Sequence, residues 1–159
     1  MIHDIENKID VEIVYALLSG KVTQAINRTL LFKLKEANID LTPAQVAVLH
    51  TLWHRDGVTQ REIADRTAKD KPSVTRILDD LEKLGLTKRK NDKQDRRSNK
   101  IFLTPKAEGI RNKVTEATIG ALQEGCSGLN DKDVANVQRL MKAIFMNLGG
   151  NTEYEVFKD

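Results

Sequence analysis

The side chains best suited to binding chemistry are cations, hydroxyls and one carboxylate, grouped in two short segments of the chain. These segments contain Lys71, Ser73, Thr75 and Arg76 in the first, and Lys93, Asp95, Arg96 and Arg97 in the second. An arginine guanidinium matches the two acceptors that guanine presents in the major groove, and hydroxyls suit phosphate oxygens or base edges. The two segments therefore predict contacts with a nucleic acid.

The distribution of charge is compatible with this interpretation but does not require it. The net charge is +3, yet residues Leu86 to Thr104 carry +5, so the rest of the chain carries −2. A run of charge is usually a solvated loop. A concentrated basic segment on a slightly acidic body also fits a surface that meets phosphate. Charge alone leaves both alternatives open.

Residues that could support catalysis or bind a metal form no recognisable set. The sequence pairs no nucleophile with a base and has neither a phosphate-binding glycine loop nor a paired-carboxylate site. His50 and His54 lie four residues apart on a predicted helix, and His3 is the other histidine, but no further zinc ligand is evident. We therefore expect no enzymatic activity, no metal and no cofactor. Cys126 is interpreted as structural or incidental, and Trp53 as a core residue rather than part of a ligand pocket.

The composition indicates a helical globular protein. The 159 residues are 40% hydrophobic, 31% charged and only 4% aromatic, with 9 glycines and 3 prolines, which disfavours a β-sandwich or barrel. A single cysteine excludes an intramolecular disulfide. The sequence has no apolar run of membrane-spanning length, and its N-terminus does not resemble a signal peptide. We expect a cytoplasmic protein without a membrane partner.

Two short helices joined by a tight turn are predicted in the middle of the chain. Thr59-Gln60-Arg61-Glu62 has the residue types of a capping box and begins the first helix. Asp70 is a good N-cap for the second helix, which runs to Leu84 and ends at Gly85. This helix-turn-helix pattern normally inserts the N-terminal turns of its second helix into the major groove. A simpler alternative is that Ser73 and Thr75 only cap the helix and that Arg76 pairs with Asp80.

A basic β-hairpin is predicted directly after the second helix. Residues 86–90 and 100–104 have the composition of two short antiparallel strands, and the polar residues 91–99 lie between them. A helix-turn-helix followed by such a hairpin is a winged helix-turn-helix. The segment of Lys93, Asp95, Arg96 and Arg97 then lies in the loop of the wing.

Amphipathic helices are predicted at both ends of the chain, over residues 10–34, 105–125 and 131–148. They are apolar over several turns and require more partner surface than a small winged domain offers. These helices therefore predict a homodimer. A two-fold dimer would present two recognition helices to a pseudo-palindromic site whose half-sites lie about 10 bp apart.

Several linked motifs resemble the MarR family of transcriptional regulators. The motifs are Arg61-Glu62-Ile63-Ala64, the segment 72–78 beginning Pro72-Ser73, the segment 81–86 ending Gly85-Leu86, and Asp95 with Arg97 followed by Ile101-Phe102-Leu103-Thr104. The resemblance covers about residues 10–148 and is strongest over 41–105. It implies that Arg97 reaches into the minor groove and that Asp95 helps to hold it there. It also implies homodimers with interleaved terminal helices, and release from DNA by a small organic effector, often an aromatic acid.

These observations lead to one overall prediction. The fold is mainly α with a small β-wing, with a winged helix-turn-helix domain over 37–104 and a helical dimerisation region over 1–36 and 105–159. The function is that of a homodimeric, sequence-specific regulator of transcription on double-stranded DNA, more often a repressor in this class. The alternative is a winged-helix module that binds proteins instead, although such a module has no need of a wing segment with a +5 charge.

Overall fold

Helices make up most of the computed structural model, which describes residues 11–91 and 99–150. Among these residues the elements are α1 (Val11–Ala16), a π-helical segment (Leu17–Lys21), α2 (Val22–Glu36), α3 (Pro43–His54), β1 (Val58–Thr59), α4 (Gln60–Thr67), α5 (Lys71–Lys83), β2 (Thr87–Asn91), β3 (Asn99–Leu103), α6 (Pro105–Gly125) and α7 (Asp131–Asn147). The predicted class, mainly α with a small β-wing, is confirmed. None of these helices is long and apolar enough to cross a bilayer.

The caps predicted at Thr59 and Asp70 are present, and Thr42 and Asn130 cap two further helices. Thr42 and Thr59 each accept a hydrogen bond from the third backbone N–H of the helix that follows, and the side chain of Gln45 or Glu62 bonds back to the capping residue. Asp70 and Asn130 cap α5 and α7 in a similar way. Caps of this kind satisfy backbone donors that have no partner within the helix. Local sequence therefore fixes where these four helices begin.

The wing is part of a three-stranded antiparallel sheet with the order β1-β3-β2. β2 and β3 form the predicted hairpin, in which Thr87 pairs with Leu103 and Asn91 pairs with Asn99. The short strand β1 was not predicted, because two residues are too few to show an alternating pattern. It pairs Val58 with Ile101 and joins the wing to the end of α3.

One hydrophobic core holds the helix-turn-helix together and continues into the terminal helices. Its fully buried side chains include Leu49, Leu52, Ile63, Val74, Leu78, Leu81 and Ile101. The same cluster includes Leu30 and Leu34 of α2, which lie with Val114 and Ala117 of α6. The orientation of the winged domain is therefore tied by packing to α2 and α6.

The N-terminal helix differs from its prediction as a single helix over residues 10–34. Its described part is interrupted by the π-helical segment Leu17–Lys21, in which Gly20 has φ +136°. Only glycine adopts this conformation without a Cβ penalty, so one glycine outweighs an otherwise continuous apolar pattern. The prediction of an unbroken helix was wrong at this point. Asp10 lies outside the described residues.

Candidate nucleic-acid interface

The start of α5 is fixed by Asp70. Its Oδ1 accepts a hydrogen bond from the backbone N–H of Ser73, and its Oδ2 accepts one from the Ser73 hydroxyl, both at 2.8 Å. These two bonds hold the pKa of Asp70 below its usual value, because they favour the ionised carboxylate. Pro72 lies in the first turn, where a missing N–H breaks no helical hydrogen bond. Lys71 therefore begins the helix at a defined position.

The rest of α5 separates an inner face from an outer one. Val74, Leu78 and Leu81 are fully buried, whereas Lys71 and Arg76 are exposed. Ser73 and Thr75 are half-buried at the sides of the helix. Asp80 forms its ion pair with Lys83, at 3.2 Å, and none of the described carboxylates forms an ion pair with Arg76. The alternative, in which Arg76 forms an ion pair with Asp80, is therefore not observed among the described residues.

Thr75 has two polar neighbours within the protein. Its hydroxyl donates a hydrogen bond to the carbonyl of Lys71 at 2.9 Å. The same oxygen accepts a hydrogen bond from the side-chain amide of Gln60, the first residue of α4. Gln60 was not singled out from the sequence. The only available signal was its place beside the N-cap of α4, which says nothing about α5.

Arg89 of β2 is bound by two carboxylates of α5. Its guanidinium contacts Glu82 and Asp79, the latter at 2.7 Å, and its backbone N–H donates to Glu82 at 2.9 Å. Asp79 lies on the side of α5 that contacts the wing, and 47% of its side chain remains exposed. Arg89 was counted among the basic charges of the wing, but its charge is neutralised within the protein. We refer to Arg89, Asp79 and Glu82 as the wing clamp.

Breaking the wing clamp is expected to lower stability. In Arg89→Ala two carboxylates lose their cation, and we expect the free energy of unfolding to fall by about 1–2 kcal/mol, given partial solvent exposure. Lys88→Ala is the matched control, because it removes an exposed cation from the adjacent position of the strand. Urea denaturation checks both variants. Equal midpoints for the two variants would show that the clamp contributes nothing to stability.

Some of the remaining cations of the wing lie on β2, and others lie in the sequence between β2 and β3. Lys88 and Lys90 are exposed on β2, and the Lys90 ammonium lies 5.1 Å from the centre of the Phe102 ring. The predicted contacts Lys93, Asp95, Arg96 and Arg97 lie outside the described residues. Their expected roles remain predictions from the sequence.

His50 and Trp53 contact each other and other residues of the fold. His50 Nε2 lies 3.0 Å from the hydroxyl of Thr118, and its ring meets that of Trp53 edge to face at 5.3 Å. Burial, and then the nearby cation of Arg111, lower the pKa of His50. Within residues 11–91 and 99–150 no group of three potential ligands could hold a metal ion. Trp53 is 8% exposed and lies in the core, as expected.

The winged segment matches the sequence model of the MarR family over residues 41–98. The HTH-type transcriptional regulator MgrA of Staphylococcus aureus is 30% identical over 102 residues, which are 64% of this chain and 68% of MgrA. MhqR of Bacillus subtilis is 28% identical over 107 residues, or 67% of this chain and 74% of MhqR. TtmR of Methylorubrum extorquens is 37% identical over 78 residues, or 49% of this chain but only 40% of TtmR. The match thus spans about two fifths of that relative's length.

Solved structures share the same fold. A mutant MarR from E. coli, complexed with operator DNA, has a TM-score of 0.75 at 26% identity, covering 86% of this chain and 98% of that chain. A MarR regulator from Methanosarcina mazei Go1 has a TM-score of 0.74 at 21% identity, covering 85% and 94%. At 21% identity, the similarity to the Methanosarcina mazei regulator shows a shared fold and nothing further.

Proposed function

Because this chain belongs to the MarR family of transcriptional regulators, we propose that it binds duplex DNA as a homodimer, with α5 of each protomer in the major groove. The observation that carries the proposal is the position of Lys71 and Arg76, two exposed cations in the first turns of a helix whose other face is fully buried. Cations near a helix N-terminus match phosphates and guanine acceptors in the groove. The family comprises regulators rather than enzymes.

The wing is proposed to bind the flanking backbone and minor groove. Lys88 and Lys90 supply exposed positive charge on β2. Lys93, Arg96 and Arg97 follow in the sequence, and Arg97 is the residue that we expect in the minor groove, with Asp95 orienting it. A guanidinium is weakly hydrated and is favoured by the negative potential of a narrow minor groove.

The homodimer is supported by the apolar surface of the terminal helices. α7 has no buried residue, and the exposed fractions of Val137, Leu140, Met141, Ile144 and Phe145 are 38–51%. A contiguous apolar face of this kind is rarely left in water. We therefore assign 1–36 and 105–159 to dimerisation and 37–104 to DNA binding.

Repression and its release are proposed to depend on the spacing between the two recognition helices. The start of α6 is hydrogen-bonded to the residues that directly follow α5. The Thr104 hydroxyl, at the N-cap of α6, donates to the carbonyl of Gly85, and the Lys106 ammonium donates to that of Leu84, each at 2.7 Å. A movement of α6 in the dimer would therefore shift α5. A small organic effector that favours a different spacing weakens DNA binding by the same factor by which DNA weakens binding of the effector.

The salt dependence of DNA binding tests this proposal against a module that binds only proteins. Duplexes selected from a random pool should bind with an affinity that falls steeply as salt rises, with a log–log slope of about −0.9 for each phosphate contacted. Fluorescence anisotropy at several salt concentrations measures the slope. Failure to enrich any duplex would contradict DNA binding and favour the protein-interaction module.

A further inference from the structure

Both hydroxyls of the recognition helix already use their hydrogen atoms inside the protein. The Ser73 hydroxyl lies 2.8 Å from Oδ2 of Asp70, an ionised carboxylate that can only accept. The Thr75 hydroxyl lies 2.9 Å from the carbonyl of Lys71, which also can only accept. Each hydroxyl must therefore donate to its protein partner. Neither can donate to a phosphate while these bonds remain.

The amide of Gln60 fixes the Thr75 hydroxyl further. Its Nε2 is within hydrogen-bonding reach of the Thr75 oxygen and 3.4 Å from the carbonyl oxygen of Lys71. With the amide turned over, the single hydrogen of the Thr75 hydroxyl could not serve both the Gln60 oxygen and the Lys71 carbonyl, so the amide nitrogen faces Thr75. Gln60 thus donates to Thr75 and occupies one of the two lone pairs of its hydroxyl.

Only a few groups of the Thr75 side chain are left to contact a ligand. A threonine hydroxyl has one donor and two acceptor sites. The donor and one acceptor site are occupied, which leaves one acceptor site and the methyl group. Thr75 is half-buried, so part of its side chain stays accessible beside Arg76.

We propose that Thr75 recognises an A·T base pair in each half-site and that Gln60 is the residue that positions it. In the major groove adenine offers an amino donor at N6, and its paired thymine offers a methyl group. The free acceptor site of the Thr75 hydroxyl can accept a hydrogen bond from the adenine amino group. The Thr75 methyl group can pack against the thymine methyl group. Guanine presents only acceptors at this edge, and a C·G pair has the amino donor but no methyl group. The proposal rests on the proposed DNA-binding function.

Base analogues in a selected duplex test both contacts separately. Replacing the adenine by purine removes N6, and replacing the thymine by uracil removes the methyl group. We expect each change to lower the affinity of the parent protein for the duplex by about threefold to tenfold. Thr75→Val keeps a methyl group but no hydroxyl, so it should lose sensitivity to purine and keep sensitivity to uracil. Gln60→Ala should relax the preference at this same base pair.

The pair itself is located by comparing sequences selected by the parent and by Thr75→Ala. Thr51→Val is the matched control, because the Thr51 hydroxyl makes the same type of bond, to the carbonyl of Ala47, on α3. It should leave all base preferences unchanged. Thermal unfolding of each variant separates a loss of contact from a loss of fold.

Several outcomes would overturn the proposal. A preference for guanine at the affected position would mean that Thr75 donates, and an unchanged selection by Thr75→Ala would mean that it contacts no base. Each result would leave the DNA-binding function intact. If the parent protein enriches no duplex at all, the proposed function fails and this inference fails with it.

Discussion

Replacing Ile144 with aspartate is expected to convert the proposed homodimer to monomers of 17.9 kDa and to weaken operator binding by roughly 100-fold or more. Ile144 is 38% exposed in the protomer and lies in the apolar stripe of α7. In a two-fold interface each substitution introduces two charges, and a charge buried without a partner is costly. Each monomer would then bind a single half-site, and the gain in affinity that comes from binding both half-sites at once would be lost. Sedimentation and anisotropy measure both effects.

The fold of the protomer should survive this change. α7 contributes no buried residue, so the core around Leu49, Leu78 and Leu81 does not depend on it. Circular dichroism should therefore retain most of its helical signal. Ala135→Asp is the matched control, because nine residues at about 100° each place it on the opposite side of the helix. A dimeric Ile144→Asp protein, or a control that dissociates equally, would contradict an interface on this stripe.

The sequence was sufficient for those parts of the fold that depend on neighbouring residues. A capping box spans four residues, so Thr59 with Glu62 could be recognised directly. The same holds for Asp70 and Ser73, and for the apolar face of α5. These local features together identify the helix-turn-helix. The position of Arg76 on the outer face follows from helical periodicity alone.

The sequence was insufficient where contacts join separate elements. Arg89 meets Glu82 and Asp79 at separations of seven and ten residues, which only the packing of β2 against α5 brings together. Counting charges therefore included Arg89 in the +5 of residues 86–104, although its charge is paired inside the protein. Gln60 and Thr75 are fifteen residues apart on different helices. Hydroxyls that looked free to donate to phosphate are consequently committed to other groups.

Arg76→Ala is expected to weaken binding to the selected operator by about 1–3 kcal/mol, while binding to random duplexes changes much less. The Ser73 and Thr75 hydroxyls have no free hydrogen, which leaves Lys71 and Arg76 as the exposed cations that can donate from the first turns of α5. Of these two, only arginine matches both guanine acceptors in a fixed geometry. Arg76→Lys should therefore recover part of the affinity and little of the base preference.

Lys113→Ala provides the control for this substitution, because it removes one positive charge from an exposed position on α6 and leaves the winged domain unchanged. It should bind the operator like the parent apart from a small general effect of charge. Competition between operator and random duplexes at fixed salt measures the ratio of the two affinities, which is the specificity of binding. If Arg76→Ala weakens both duplexes equally, Arg76 contacts a phosphate, because a phosphate contact carries no sequence information. Guanine recognition by α5 would then be excluded at this position, and the specificity would have to come from Thr75 and the wing.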